Sequence, residues 1–121
     1  MITVDLKSRI PIYEQIVDSV KSAILSGILS PNEQLPAVRK LAVELAINPN
    51  TIQKAYLILE AQEIVYSIPG RGSFVADDTS ALIDSHRARV LSELKSLVED
   101  AARCKIPKSE LLKAVEEFAK E

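Results

Sequence analysis

Apolar residues recur along this chain in two rhythms, first helical and then alternating. Ile12, Ile16, Val20, Ala23 and Ile24 fall at helical spacing, which predicts a first helix over 11–26. Pro11 suits its start, where the missing N–H costs nothing, and Gly27 suits a left-handed stop. Residues 28–35 read as a connector with a Pro31-Asn32 turn signal. Leu41, Ala42 and Leu45 give the apolar face of a second helix from Pro36 to Ala46. Asn48-Pro49 then reads as a cap followed by a first-turn proline. A third helix to about Gln62 points Ile52, Ala55, Tyr56 and Leu59 inward, at i, i+3, i+4 and i+7.

That phasing leaves Asn50, Thr51, Gln53 and Lys54 facing outward near the start of the third helix. The rhythm then changes. Ile64–Ile68 and Ser73–Ala76 read as short strands joined by a turn of Pro69, Gly70, Arg71 and Gly72. Asp77, Asp78 and Thr79 offer caps for a long fourth helix ending near Ala102 or Cys104. On it Leu91, Leu94, Val98 and Ala101 follow steps of 3, 4 and 3, and Ile83, Val90 and Leu97 form a second seam seven residues apart. Pro107 interrupts the chain, and a last helix over 108–120 is expected to bury Leu111, Leu112, Val115 and Phe118.

The expected fold is therefore mostly α with a small β-hairpin. It is a winged helix-turn-helix over residues 1–76, followed by a two-helix C-terminal dimerisation region over 77–121. Two helices of that length bury little against each other alone, so a homodimer is the simplest remedy. Ile83, Val90, Leu91, Leu94, Leu97 and Val98 are its expected interface.

The chemistry at the third helix suits nucleic acid. Base edges are read by side chains that donate or accept hydrogen bonds. Asn50 and Gln53 suit adenine, and Lys54 suits guanine or a phosphate. Asn48 and Thr51 are better placed to hold phosphate at the helix start. Arg39 projects from the second helix, toward a phosphate or a base edge. At the hairpin tip Gly70 allows close backbone approach and Arg71 suits a narrow minor groove.

The segments PIYEQIVDSVKSAILSGILSPNEQLPAVRKLA, NPNTIQKAYLILE and GRGSFV together resemble the DNA-binding domain of the GntR family of bacterial transcription regulators. The resemblance covers residues 9–76, and the short tail resembles that of the YtrA-like subfamily. It implies a regulator of transcription, most simply a repressor, binding double-stranded DNA as a homodimer on an inverted-repeat operator. It also implies that Arg39, Asn48, Asn50, Thr51, Gln53, Lys54 and Gly70, with Arg71 beside it, stand at the family's contact positions. Four residues depart from the family's pattern. Asn32 stands for a common glycine, Ala37 for a serine, Pro49 for a DNA-touching arginine, and Glu63 for the glycine after the third helix.

Charge qualifies this picture. Residues 1–75 carry four Lys and three Arg against seven Asp/Glu, a net of zero. The net charge of −2 comes from residues 76–121. Few phosphates can be neutralised per protomer, so tight binding is expected of a dimer. The neutral module keeps a second reading open: a protein-interaction module on the same fold with weak or lost DNA binding.

Cys104 and His86 are each the sole residue of their kind, so neither a disulfide within the chain nor a metal site is expected. Cys104 reads as a small apolar residue on a helix face. No catalytic constellation, cofactor motif or effector site stands out. Without an apolar membrane span or signal core, a cytoplasmic location is expected.

Overall fold

The structure is a computed structural model that describes residues 2–120. Met1 and Glu121, the outermost residues of the two expected regions, lie outside the described residues. Its elements are α1 (Ile12–Leu25), α2 (Val38–Leu45), α3 (Pro49–Ala61), β1 (Val65–Ile68), β2 (Gly72–Val75), α4 (Ser80–Arg103) and α5 (Lys108–Phe118). Contacts divide the chain into a first unit ending at Ile83 and a second beginning at Asp84.

In the first unit, α1 and α2 pack on α3. Ile16, Val20, Leu41, Ile52, Leu59 and Val75 are completely enclosed there. These are the positions that helical spacing put inward, with Val75 closing the core from the hairpin. Ile2, in the N-terminal segment, is buried as well. The Gln15 side chain ties that segment down. Its Oε1 accepts from Asp5 N at 2.7 Å, while its Nε2 donates to Ile10 O at 2.8 Å and Asp5 O at 3.1 Å.

Left-handed residues end the helices, because a residue with positive φ turns its N–H back onto the last open carbonyls. Gly27 does this after α1 with φ 82°. Ala46 does it after α2 and Glu63 after α3, with φ of 55° and 60°. The glycine that the family pattern places after the third helix is therefore missing, yet its conformation is kept. Glu63 N donates to Glu60 O at 2.9 Å, and Ile64 N to Leu59 O at 3.0 Å.

β1 and β2 pair antiparallel, with Tyr66 opposite Phe74 and Ile68 opposite Gly72. The Tyr66 and Phe74 rings stack with centroids 5.5 Å apart. The second strand starts one residue earlier than the alternation predicts. The tip is Pro69-Gly70-Arg71, closed by Arg71 N donating to Ile68 O at 2.9 Å. Proline followed by a glycine at φ 77° is the pattern of a type II turn.

The second unit holds α5 and α4 from Asp84 onward. Here one expectation fails. Leu112, Val115 and Phe118 are exposed, Phe118 to 76% of its surface, and none of α5 is fully buried. One neighbouring helix cannot cover the whole apolar face of another, so α5 keeps most of its face open. The tail also has more concave surface than its length suggests. Leu94, Val98, Ala102, Ile106, Leu111, Leu112 and Val115 line most of an open apolar cleft of ≈ 560 Å³. Cys104 lies just past the end of α4 and is exposed.

Candidate nucleic-acid interface

The interface is built on the junction of α2 and α3. Ile47 N donates to Ala42 O at 3.0 Å, which folds the chain sharply back after Ala46. Asn48 then caps α3: its Oδ1 accepts from Asn50 N at 2.9 Å, and Pro49 occupies the first helical turn. The capping oxygen of Asn48 faces its own helix, so only its amide NH2 is left to donate outward. Arg39, Asn48 and Asn50 border an open cleft at this junction together with Val43 and Pro49.

Asn50, Gln53 and Lys54 are exposed on α3, Thr51 is half-buried beside them, and Ile52 and Ala55 face the core. Lys54 is less free than the helical pattern suggests. Its Nζ lies 3.9 Å from the centroid of the Tyr13 ring on α1, a cation–π contact. Arg39 is exposed on α2.

A buried hydroxyl ties the approach to α2 onto α3. Tyr56 on α3 donates to the carbonyl of Pro36 at 2.8 Å. Burial pushes the Tyr56 phenol far above its ordinary range, because the phenolate would lose its hydration. The group therefore stays a neutral donor. Helical spacing marks Tyr56 as a core residue but says nothing of this bond.

At the wing, Gly70 and Arg71 are exposed at the hairpin tip. Asn32 adopts the left-handed conformation that its place in the turn requires, with φ 67°. Its side chain adds two bonds that a glycine could not make. Nδ2 donates to Asp77 Oδ1 at 2.8 Å, and Oδ1 accepts from the Tyr66 hydroxyl at 3.0 Å. The connector, the base of the wing and the start of the segment leading to α4 are thus joined at one residue.

Three helices, a sharp turn with a capped second helix, and a hairpin placed beside it make a winged helix-turn-helix. Residues 12–75 match the family model of bacterial regulatory proteins, gntR family. The chain belongs to the GntR family. It is a DNA-binding transcription regulator of the YtrA-like type. Over 102 residues it is 39% identical to the HTH-type transcriptional repressor YtrA of Bacillus subtilis (strain 168), covering 84% of this chain and 78% of that protein. A crystal structure of a transcriptional regulator from Oenococcus oeni superposes with a TM-score of 0.80 at 34% identity, covering 96% of this chain and 97% of that one. The DNA-binding domain of AraR, solved in complex with operator ORE1, matches with a TM-score of 0.54 at 29% identity. That match covers 63% of this chain and 93% of the AraR domain.

The six apolar residues expected at a dimer interface all lie on α4. Ile83, Val90, Leu91, Leu94, Leu97 and Val98 are 39–65% exposed in the single chain. None of the described helices is long and apolar enough to cross a membrane.

Proposed function

We propose that this GntR-family chain is a homodimeric, cytoplasmic repressor that occludes a promoter by binding an inverted-repeat operator. Each protomer lays the start of α3 in the major groove and its wing in the adjacent minor groove. Asn50 and Gln53 read base edges, Lys54 meets guanine or phosphate, and Asn48 and Thr51 hold phosphate. Arg39 contacts the backbone side, and Gly70 and Arg71 enter the minor groove. Residues 1–76 form the DNA-binding domain and residues 77–121 the dimerisation region. The likeness to the YtrA repressor supports repression. The observation that carries the reading is the exposed polar row on the first turns of α3, set directly beyond a capped helix start.

The exposed seam on α4 supports the dimer, since an apolar stripe of that extent is costly to leave in water. Two α3 helices related by a twofold axis would read half-sites about one or two DNA turns apart. Regulation without a reaction of its own follows from the same reading. No residue points to a particular effector.

Binding to the chain's own promoter DNA tests the proposal. Gln53→Ala should relax preference at one operator position, at a cost of about 1–3 kcal/mol. Equal loss on cognate and scrambled DNA would remove Gln53 from base reading. Arg39→Ala should weaken binding to most sequences and lower the salt slope by about one if it meets phosphate. The zero net charge of residues 1–75 favours the competing reading, a protein-interaction module. A folded dimer that binds no promoter fragment at low salt would overturn the proposal.

A further inference from the structure

The connector between α1 and α2 does more than link them. Asn32 N donates to Val75 O at 2.9 Å, Val75 N to Glu33 O at 2.8 Å, and Leu35 N to Ser73 O at 2.8 Å. Residues 32–35 therefore run antiparallel along the free edge of β2, with Gln34 bridged to Phe74. Side chains alternate along an extended segment, so a buried Leu35 leaves Gln34 on the exposed side.

From there Gln34 reaches the wing tip. Its Nε2 donates to the carbonyl of Arg71 at 2.7 Å. A carbonyl can only accept, so the NH2 end of the amide must face it. The Arg71 N–H is already used by the turn, donating to Ile68 O. Both backbone polar groups of Arg71 are thus engaged, while its side chain stays exposed. Gly72 completes the arrangement. A Cβ there would lie 2.9 Å from Gln34 Nε2, and its φ of +117° is one that other residues rarely adopt.

We propose that Gln34 is a positioning residue for the wing. Its amide holds the Arg71 backbone in one orientation, so that the guanidinium is presented to the minor groove before DNA arrives. A tip ordered in advance loses less conformational freedom on binding, which is where the affinity comes from. The role in DNA binding rests on the reading of Arg71 as a groove contact; the ordering of the tip does not.

Two measurements on the full chain test this separately. In the free protein, Gln34→Ala should lower the ¹⁵N order parameters of the Arg71 and Gly72 amides from rigid values toward ~0.6. On promoter DNA the same variant should bind about three- to tenfold more weakly, the range for one lost hydrogen bond. Gln34→Glu, which sets an acceptor against the carbonyl, should lose at least as much. In an Arg71→Ala background, Gln34→Ala should cost less than about twofold, because nothing remains to be positioned. Unchanged order parameters overturn the proposal, as does an equal loss of affinity in both backgrounds. If Arg71→Ala alone leaves affinity intact, the groove contact is wrong, while a fall in the order parameters still establishes Gln34 as the residue that orders the tip.

Discussion

Left-handed backbone at a residue other than glycine carries a steric cost of about 1–2 kcal/mol, from the crowding of Cβ against the following carbonyl. Asn32, Ala46, Glu63 and Lys105 all bear it. At Asn32 the side chain returns something, through its bonds to Tyr66 and Asp77. Glu63 has no such compensation among the described bonds. Glu63→Gly should therefore stabilise the protein by about 0.5–1 kcal/mol, part of the relief being offset by the greater freedom of glycine in the unfolded chain. A melting temperature no higher than that of the parent would show that the helix end is not strained. Asn48 is the opposite case, a residue that stabilises what it ends. Asn48→Ala removes the oxygen that accepts from Asn50 N and should cost about 1 kcal/mol by thermal or denaturant unfolding.

Among the elements, α2 owes its seat to α3 as much as to its own apolar face. It has eight residues, too few to persist alone. The Tyr56 hydroxyl on the Pro36 carbonyl joins its approach to the core. Tyr56→Phe leaves that carbonyl without its partner and should lower stability by about 1–2 kcal/mol in denaturant unfolding. Because the folded-state phenol titrates above its unfolded value, its contribution is complete below about pH 10 and is lost as the pH rises beyond it. An alkaline stability profile as steep for Tyr56→Phe as for the parent would contradict this. At the start of α4 the sign reverses. The Ser80 side chain and backbone N–H bond the Asp78 carboxylate and hold it below the usual carboxylate range. That bond is present at neutral pH and should be lost only as the pH falls below about 4, seen as fraying at the start of α4.

For the whole molecule, the decisive surface is the one that a single chain leaves open. The α4 seam and the cleft against α5 expose leucines and valines, the surface on which the proposed dimer rests. Leu94 lies both on the seam and in the cleft. Leu94→Asp should convert a dimer into monomers, read as a halved mass by light scattering. It should also reduce operator affinity by far more than any one contact residue, since half of the phosphate contacts go with the partner. An unchanged mass would mean that the interface lies elsewhere.

The sequence by itself determined the order of elements, the inward residues of the three core helices, the cap at Asn48 and the glycine-bearing wing tip. Each follows from short-range periodicity or from the backbone preference of one residue type, which neighbours in sequence suffice to express. The exposed polar row on α3 was legible for the same reason: a helical period that buries Ile52 and Ala55 must turn Asn50 and Gln53 outward. Only the tertiary structure decided what long-range contacts decide. It paired the connector with the free edge of β2, placed Gln34 on Arg71 and Tyr56 on Pro36, and set Lys54 over Tyr13. The residues of each pair are 20 or more positions apart, so no local pattern announces them. The same distinction explains α5. Its spacing marks an apolar face correctly, but whether a face is buried depends on what covers it, and one neighbouring helix covers too little.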